Sequence, residues 1–556
     1  MTMVRYSRFV PALLAALIGA ACSDDPTEPQ LNAPTDVTVT ANGARSVQVS
    51  FSAVSGAASY VIERAEGASG TSLTYTQVGT TATTSYTDNT VEPTRTYHYR
   101  IAAVAGTRQS SFSASGAVTT PAEGPKVATI SADIVTNRTL YADTVYTLRG
   151  FIHVANGATL TIQPGTRILG DYDALGSSLF VLRGAKIMAC GTAAAPIVFT
   201  SSRPVGQRKP GDWGGLIILG NARINRGADT ELEGTGGSAA NPVIVYGGGT
   251  DDADNSGELC YVRVEFAGYA ISTNNELNSF TFAAVGSGTK VEYLQAMSGL
   301  DDHYEWFGGT MDAKYLVSYE SDDDHFDAAE GYRGRVQFMI AYQSKVLDPR
   351  TGAGAVSSDP QGFEVDGCAG ANCTAGENSQ PYNLPLWANF TLIGTGPGVV
   401  DATSGGHGMV LRRGTGGYFV NGVVARWPKS ALSIRDATTT ARATAGDFHV
   451  ANVLTVENGT VLHAGQQPYD TDANSIVPAA GAAATTFNLL PTDPSSPSHF
   501  DWGLPVASAA RTGGLTAFPA AIAARAGTFV TATAYVGAAD PNGAKWWEGW
   551  TIYADN

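Results

Sequence analysis

The feature that most constrains this chain is a short acidic segment that occurs twice. The sequence reads DDHYEWFGG from Asp301 and DDHFDAAEG from Asp323, with aligned residues 22 positions apart. A period of about 20–50 residues is typical of solenoids, in which residues one period apart stack on neighbouring coils. We therefore expect the two segments to lie on adjacent coils, one directly above the other.

The composition favours a fold built from short strands and turns. The chain has 556 residues, of which 64 are glycine, and only 15% are charged. Its formal net charge is −16 and it has no basic patch, which argues against a nucleic-acid partner. An anionic polysaccharide would also be repelled from this chain unless a bound cation intervened.

The N-terminus has the plan of a secretory leader. Arg5 and Arg8 supply a positive start, and residues 10–21 form an apolar stretch that is too short to be a good membrane span. The stretch ends in the sequence GAAC at Cys22, which resembles a bacterial lipobox with glycine where leucine is usual.

This resemblance implies that residues 1–21 are a lipoprotein signal peptide and that Cys22 becomes the lipidated N-terminus. Ordinary secretory cleavage is the alternative. Residues 22–32 then form a polar, proline-containing tether. We expect the mature protein to reach a membrane only through this lipid anchor, at the outer membrane or cell surface, or else to be secreted.

Residues 33–121 alternate short strands with polar turns, a pattern that is typical of an antiparallel β-sandwich. Phe51, Tyr60 and the sequence PTRTY, which ends at Tyr97, resemble the core positions and the tyrosine corner of a fibronectin type III domain. The resemblance implies a spacer or interaction module without catalysis.

Residues 122–556 carry short apolar strands between turns rich in glycine and aspartate, mostly at spacings of roughly 22–30 residues. This spacing favours a parallel β-helix over a sandwich. The sequences GATLTIQPGTRI (157–168) and GAKIMACGTAAAPIVFTS (184–201) resemble the pectin-lyase-like right-handed β-helix proteins. Within that class they look most like bacterial secreted or lipid-anchored proteins without an assigned function.

The expected fold is therefore all-β: a fibronectin type III sandwich followed by a large right-handed parallel β-helix, or solenoid. Solenoid ends need caps, and the C-terminal region, about residues 478–556, resembles the ending of the same bacterial group. We interpret Trp546, Trp547 and Trp550 as packing within this cap; a platform that stacks on sugars is the alternative.

Four cysteines follow Cys22. Cys368 and Cys373 close the short loop CAGANC, and we predict a disulfide between them in an oxidising compartment. Cys190 and Cys260 are 70 positions apart, and they either pair across coils or are buried as small apolar residues.

The repeated segment predicts two stacked rows of acids and histidines on the outward face of the coils. If it starts a strand, period-two alternation points Tyr304 and Phe326 into the core and the flanking residues outward. The outward residues would be Asp301, His303, Glu305, Asp323, His325 and Asp327. Coils lie about 4.8 Å apart, so two stacked carboxylates repel by about 3 kcal/mol at an effective dielectric of about 20.

Three arrangements would relieve this repulsion: a bridging cation, a shared proton, or screening by water and the histidines. Oxygen-rich clusters favour Ca²⁺, whereas imidazoles beside carboxylates favour Zn²⁺ or another transition metal. The six outward residues are therefore candidate metal ligands, although no standard ligand spacing is present, and a structural polar ladder is the alternative. Glu364, in the sequence GFEVDG, would extend the acidic row by one coil.

A catalytic interpretation is also open. The β-helix pectin hydrolases carry an acid pair, then GHG, then a basic RxK. This resemblance implies Asp323, Asp324 and His407 as candidate catalytic residues, with Arg412 and Arg413 as nearby basic groups. The NTD element and the RIK sequence of that family are absent here.

The architecture as a whole predicts a lipid-anchored surface protein whose β-helix binds a glycan or another surface partner without catalysis. This expectation is based on the long flat faces of a β-helix, and therefore on architecture alone. A polysaccharide lyase or glycoside hydrolase that uses the acidic rows is the first alternative. A purely structural envelope stalk is the second.

Overall fold

The structure is a computed structural model. It describes residues 30–68, 70–272, 275–354, 360–400, 405–463, 476–478 and 500–553. Cys22, the leader and most of the tether lie outside the described residues, as does much of the region before residue 500. The chain divides into two compact units, Met1–Pro125 and Lys126–Asn556. Within the described stretches, no helix is long and apolar enough to span a bilayer.

The first unit is an antiparallel β-sandwich. Its strands are β1 (Thr38–Gly43), β2 (Ser46–Ser50), β3 (Ser59–Glu66), β4 (Thr76–Thr81), β5 (Ser85–Asp88), β6 (Thr96–Ala105), β7 (Arg108–Gln109) and β8 (Gly116–Thr119). One sheet has the order β1-β2-β5, and the other has the order β4-β3-β6, with β7 and β8 both paired to β6. This division of strands is that of a fibronectin type III sandwich, which confirms the predicted fold.

The aromatic residues identified in the sequence fill the core of this sandwich. Phe51 packs edge-on against Tyr60, with ring centroids 4.7 Å apart. The hydroxyl of the buried Tyr97 accepts a hydrogen bond from the backbone N–H of Glu92 at 2.9 Å. This bond to a residue a few positions upstream is the tyrosine corner that the sequence PTRTY predicts.

The second unit is a parallel β-helix, as the repeat predicts. Ten strands form the short sheet: β12 (Phe151–Val154), β15 (Ser178–Val181), β18 (Gly215–Leu219), β22 (Phe280–Ala283), β24 (Tyr304–Phe307), β26 (Phe326–Ala329), β28 (Phe363–Asp366), β30 (His407–Arg412), β33 (Ser430–Ile434) and β36 (Thr460–Leu462). A separate antiparallel hairpin consists of β20 (Tyr269–Ser272) and β21 (Asn275–Leu277).

Seventeen strands form the long sheet of the same unit. They are β9 (Lys126–Ile130), β10 (Arg138–Leu140), β11 (Thr144–Leu148), β13 (Thr159–Ile162), β14 (Arg167–Gly170), β16 (Lys186–Cys190), β17 (Ile197–Ser201), β19 (Gly257–Glu265), β23 (Lys290–Gly299), β25 (Asp312–Ser321), β27 (Arg335–Tyr342), β29 (Leu386–Ile393), β31 (Gly417–Val420), β32 (Val423–Ala425), β34 (Phe448–Ala451), β35 (Val453–Val456) and β37 (Ile476–Pro478). Among the described residues the α-helices are α1 (Ala437–Ala445) and α2 (Ala520–Ala526), and short 3-10 turns span Gly376–Asn378 and Ala509–Arg511.

The register of the short sheet places the two repeated segments on adjacent coils. Tyr304 pairs with Phe326, and Glu305 pairs with Asp327. The two aromatic rings point into the core and stack with centroids 5.1 Å apart. The ladder continues to Phe280 on the preceding coil, again at 5.1 Å from Tyr304. The 22-residue period therefore corresponds to one coil, and the predicted aromatic ladder is confirmed.

Strands of the long sheet turn a corner at one residue with a positive φ angle. Tyr261, Tyr293 and Tyr315 occupy this position on successive coils, with φ values of 50°, 55° and 63°. L-residues rarely adopt this conformation, which costs roughly 1–2 kcal/mol. Neighbouring rings in this column stack with centroids 4.4 Å apart, which offsets part of the cost.

The C-terminal residues 500–553, named here the strap, pack against the outward face of the long sheet. A hydrophobic cluster joins Phe500 and Trp502 of the strap to Val317 and Tyr319 of β25. Two glutamine side chains of the sheet also pair with the strap backbone.

The paired glutamines each use both ends of the side-chain amide. Gln295 donates to the carbonyl oxygen of Ile552 at 2.5 Å and accepts from its N–H at 2.9 Å. Gln337 makes the same two bonds with Thr531, at 2.7 and 3.1 Å. Each amide therefore satisfies one residue of the strap as a neighbouring strand would.

The three C-terminal tryptophans lie along this side of the β-helix. The ring of Trp550 lies edge-on to Tyr261, with centroids 5.7 Å apart, and Trp546 tilts against Tyr315 at 5.3 Å. Trp547 is 2% exposed and belongs to the cluster beneath the strap. Trp546 and Trp550 thus pack on the tyrosine column of the long sheet, and Trp547 packs in the cluster beneath the strap.

Two disulfides are present among the described residues. Cys368 is bonded to Cys373, which confirms the prediction for the CAGANC loop. Cys190 of β16 and Cys260 of β19 are register partners and are bonded across adjacent coils. Of the two alternatives for this second pair, the structure has the cross-coil bond.

Candidate functional site

A column of acids runs along the outward face of the short sheet. Glu305, Asp327 and Glu364 are register partners on β24, β26 and β28. Thr281 precedes them on β22 and Val410 follows them on β30. The acidic row therefore extends to Glu364, as the GFEVDG sequence predicts, despite the long insertion that separates β26 from β28.

A second set of acids lies in the turns that precede these strands. Asp302 Oδ1 accepts a hydrogen bond from the backbone N–H of Asp324 on the next coil, at 2.8 Å. Asp324 Oδ1 accepts from the N–H of Gln361 on the coil after that, also at 2.8 Å. Each carboxyl thus satisfies a backbone donor of the following coil, which holds the turns in register.

Both sets of acids open into one cavity of about 710 Å³, named here the acidic cleft. Its carboxyl groups are Glu233, Glu276, Asp301, Asp302, Glu305, Asp323, Asp324, Asp327, Glu330, Glu364 and Asp366. Against these eleven carboxyls the lining holds three cationic side chains, Arg226, Arg412 and Arg413. The floor is the short sheet, and the walls come from the loop between β18 and β19, from β21 and from the loop after β28.

Three groups of carboxylates in the cleft are close enough to hold a cation. In each group the oxygens lie within 4.8 Å of one another. The groups are Asp301 with Asp302 and Asp323, Asp302 with Glu305 and Asp327, and Asp324 with Asp327 and Glu364. Donor sets made only of carboxylate oxygen favour hard cations such as Ca²⁺. These residues therefore fit calcium rather than a transition metal.

Crowding changes the protonation of these carboxyls when no cation is bound. Burial, reinforced by the charge of Asp323, raises the pKa of Asp301 well above its ordinary value. Burial and the neighbouring Glu233 do the same to the pKa of Glu305. Burial also raises the pKa of Asp327 well above its ordinary value. The metal-free cleft consequently keeps several protons, which a bound cation would displace.

Two further acids in the cleft wall have pKa values nearer neutrality. Burial raises the pKa of Glu233 to about 8. Burial raises the pKa of Glu330 to about 6, although the charge of Arg226 opposes this rise. Arg226 forms an ion pair with Glu330 at 2.6 Å, and the hydroxyl of Tyr246 donates to the same carboxylate. Glu330 is thus held in place from two sides.

The opposite end of the cleft is neutralised by ion pairs. Arg412 binds Asp366 at 2.8 Å and also binds Glu364, while Arg413 binds Asp366 at 2.5 Å. Burial opposes the charged form of Arg412, yet Asp366 and Glu364 hold its pKa above the ordinary value. This end of the cleft therefore has fixed charges of both signs, unlike its centre.

One side chain at the centre has an oxygen without a partner. Asn278 is 1% exposed and lines the cleft. Its amide nitrogen donates to Glu305 and to Thr281. Its Oδ1 has no hydrogen-bond partner among the described residues. A buried carbonyl oxygen left in this way costs roughly 1–3 kcal/mol, which a ligand could recover.

The histidines of the repeat do not belong to the cleft, which corrects the expectation that they face outward. His303 and His325 are fully buried and both contact Ser318 Oγ, at 2.6 and 2.5 Å. The strand begins only at Tyr304, so the three residues before it form a turn that does not follow period-two alternation. The turn directs the imidazoles inward and leaves only carboxylates among the predicted metal ligands in the cleft.

The candidate catalytic residues occupy two different places. Asp323 and Asp324 line the cleft, whereas His407 does not. His407 lies at the start of β30. Its ring Nδ1 is 2.7 Å from Ser430 Oγ, and its backbone N–H donates a hydrogen bond to Gln361 Oε1. Burial lowers the pKa of His407 to about 3, so its imidazole is neutral.

Several lining residues were not identified from the sequence. Glu233, Glu276 and Arg226 come from the loop between β18 and β19 and from the β20–β21 hairpin. They have no periodic relation to the repeat, so no spacing points to them. Glu330 could have been identified from the sequence, because it lies within the second repeated segment, DDHFDAAEG.

Comparison with known families agrees with this architecture. The model of the pectate-lyase like β-helix domain matches residues 132–488. The chain belongs to this family. Within this pectate-lyase like β-helix, the matched residues contain the whole floor of the acidic cleft. No curated protein matches the chain.

Solved fibronectin type III structures are similar to a small part of the chain. An Fn3-like protein from Clostridium thermocellum is 27% identical over 17% of this chain and 94% of its own, with a TM-score of 0.15. The FN5 domain of Drosophila Lar is 23% identical over 16% of this chain and 97% of its own, with a TM-score of 0.15. The fn3 domain of human collagen alpha-1(XX) is 21% identical over 19% and 98%, with a TM-score of 0.16.

Proposed function

We propose that this protein binds a glycan in the acidic cleft, with calcium held by the carboxylate groups. The observation that carries the proposal is the convergence of eleven carboxyls on one cavity of about 710 Å³, with three oxygen-only groups within 4.8 Å. A cavity of this volume is typical of sites for small ligands. Carboxylates this close repel one another strongly unless a cation or protons neutralise them.

Calcium has a specific role in this proposal. It accepts about six to eight oxygen ligands, more than one carboxylate group of three residues supplies. Sugar hydroxyl or carboxylate oxygens can complete such a shell, and the amide oxygen of Asn278 is available beside it. The net negative cleft then accepts neutral or acidic sugars that it would otherwise hold only weakly or repel.

The proposed location is the cell envelope. The leader and the lipobox-like sequence GAAC at Cys22 support a lipid anchor, and the polar residues after it support a tether. The fibronectin type III sandwich then acts as a spacer between tether and β-helix. Secretion without an anchor is the alternative, and radiolabelled palmitate incorporation, lost in Cys22→Ser, distinguishes the two.

Calcium titration tests the binding site directly. Wild-type mature protein should bind calcium in isothermal titration calorimetry, and Asp327→Asn should weaken this affinity at least tenfold because Asp327 belongs to two of the three groups. Asp348→Asn is the matched control, since Asp348 is exposed and pairs with Lys209. Absence of calcium binding by wild type would falsify the cation part of the proposal.

A glycan array tests the second half of the proposal. Wild-type protein with calcium should bind a subset of glycans, and EDTA or Asp327→Asn should abolish this binding. A blank array in the presence of calcium would reject glycan binding and leave an envelope stalk as the better account.

A polysaccharide-cleaving enzyme is the second candidate, because the cleft holds acids in contrasting environments. Glu233, whose pKa is raised to about 8 by burial, carries a proton at neutral pH. Asp366 forms ion pairs with Arg412 and Arg413, at 2.8 and 2.5 Å. A proton donor and a carboxylate in one cleft are the requirement for glycoside hydrolysis. Turnover of any member of a polysaccharide panel would favour this candidate over binding alone.

A further inference from the structure

One wall of the acidic cleft is the short loop that the Cys368–Cys373 disulfide closes. Residues 367–373 are named here the disulfide loop. Gly367, Ala369 and Gly370 line the cleft, while Cys368 is buried at 1% exposure. From residue 369 to Cys373 the loop is exposed or half-buried, so side-chain burial contributes little to its position. The covalent bond connects this exposed part to the buried Cys368.

The buried start of the disulfide loop is attached to the arginine end of the cleft. Gly367 N–H donates to the carbonyl oxygen of Arg412, and Cys368 N–H donates to that of Arg413, both at 3.1 Å. A Cβ atom on Gly367 would lie 2.0 Å from the Arg413 carbonyl oxygen, so the two backbones are in direct contact. The loop therefore fixes the backbone from which both arginines reach Asp366.

The far end of the loop is attached to the opposite wall. The carbonyl oxygen of Asn372 accepts a hydrogen bond from the N–H of Gly227 at 3.1 Å. Gly227 directly follows Arg226, which forms the ion pair with Glu330. Glu330 N–H in turn donates to the carbonyl oxygen of Gly367 at 3.2 Å. The disulfide loop thus links the segments that carry all three arginines of the cleft lining.

We infer that the Cys368–Cys373 disulfide positions the arginine-bearing walls of the acidic cleft, so that ligand affinity depends on the oxidation of this pair. The inference rests on the proposed function, since it concerns affinity at the same site. Reduction by a dithiol transfers two electrons and two protons, leaving two thiols on the protein and a disulfide on the reductant. The exposed residues of the loop, including Gly370 with a φ of 94°, then gain conformational freedom.

The effect should be local to the cleft. A disulfide that closes so short a loop removes less conformational entropy from the unfolded chain than a bond between distant residues does, so in a unit of this size its loss lowers Tm by only a few degrees. In the cleft, however, the walls lose a fixed separation, and Arg412 is no longer held at Glu364 and Asp366. Glu364 belongs to one of the three candidate calcium groups, and without Arg412 its carboxylate loses the fixed position that it holds beside Asp324 and Asp327.

The test compares two disulfide variants of the full mature chain, with calcium ion as the probe. Cys368→Ser/Cys373→Ser should bind calcium about tenfold more weakly than wild type, with a Tm within a few degrees. Cys190→Ser/Cys260→Ser is the matched control, because its bond joins β16 and β19 of the long sheet and does not line the cleft. The control should keep the wild-type calcium affinity. Treating wild type with dithiothreitol should reproduce the loss, and reoxidation should restore it.

Each outcome decides between the two proposals. If oxidised wild type binds no calcium, the cation-dependent site itself fails. If wild type binds calcium and the Cys368→Ser/Cys373→Ser variant binds it equally well, the positioning role is overturned while the site stands. Equal losses of affinity in both variants, accompanied by a large fall in Tm, would also overturn it, since the effect would then come from general destabilisation.

Discussion

At the scale of single residues, the most informative group is the buried Ser318 between two histidines. Gly299 N–H donates to His303 Nε2 at 3.0 Å, so the proton of this imidazole is on Nδ1 and is donated to Ser318 Oγ. The Ser318 hydroxyl then donates to His325 Nδ1. Both rings are neutral in this chain of bonds. Burial lowers the pKa of His325 to about 3 and that of His303 well below its ordinary value.

Replacing Ser318 tests this arrangement. Ser318→Ala leaves a donor on His303 and an acceptor on His325 unpaired in the core, so we expect a destabilisation of about 2–4 kcal/mol. Urea denaturation measures the change. Ser287→Ala is the control, because Ser287 is exposed although its hydroxyl also makes a hydrogen bond. Equal stability of the two variants would contradict the role given to Ser318.

At the scale of elements, the strap covers the outward face of the long sheet. The sheet presents apolar residues such as Val317 and Ile340 on its outward face, where a solvated surface would carry polar ones. The strap buries these residues, and the paired amides of Gln295 and Gln337 satisfy its backbone. A segment with almost no regular secondary structure can therefore lie on a β-helix with the backbone donors of Thr531 and Ile552 paired.

Removing one paired amide should loosen the strap locally. Gln337→Ala deletes both bonds to the Thr531 backbone, the bond from the Thr531 hydroxyl and the bond to Asn389 Oδ1. We expect amide hydrogen exchange around Thr531 to rise at least tenfold, because a local opening there becomes easier by more than about 1.4 kcal/mol. Exchange in the core strands should not change. The control is the exposed Gln207→Ala, and protection of the strap equal to wild type would argue against the pairing.

At the scale of the whole molecule, the buried carboxyls of the cleft and the buried histidines of the core change stability in opposite directions as pH falls. Carboxyls such as Glu233 and Glu330, with pKa values raised to about 8 and 6 by burial, bind protons more tightly when folded. Their contribution to the free energy of unfolding is complete below the pKa of about 4 that they have in the unfolded chain. It is lost as pH rises through their pKa in the folded protein. His325, whose pKa burial lowers to about 3, contributes stability above about pH 6.5 and loses it as pH falls.

These signs predict how Tm depends on pH. Between pH 8 and about 7 the folded carboxyls take up protons while histidines of the unfolded chain are still mostly neutral, so in EDTA the Tm should rise as pH falls through this interval. Calcium competes with these protons, so saturating calcium should raise Tm most at pH 8 and reduce or reverse the slope. Thermal unfolding in EDTA and in calcium at matched ionic strength measures both. A Tm in EDTA that is flat or falls over this interval would mean that the carboxyls are not crowded in solution.

The parts of the structure that repeat could be predicted from the sequence alone. The 22-residue offset predicted the coil, the pairing of Tyr304 with Phe326 and the outward stack of Glu305 and Asp327, all of which the register confirms. The same holds for the sandwich and for the Cys368–Cys373 bond. Such features are predictable because strand pairing is periodic and a disulfide across a short loop needs only nearby residues.

The surroundings of the repeat, in contrast, became known only from the folded structure. It turned His303 and His325 inward, because the turn before Tyr304 breaks the alternation that holds within a strand. It also brought Glu233 and Arg226 from a loop with no period to the wall of the acidic cleft, and placed the strap on the long sheet. These contacts join residues far apart in sequence through loops, where neither period nor composition specifies a partner. The acidic rows were therefore visible in the sequence, while the cleft that they line was not.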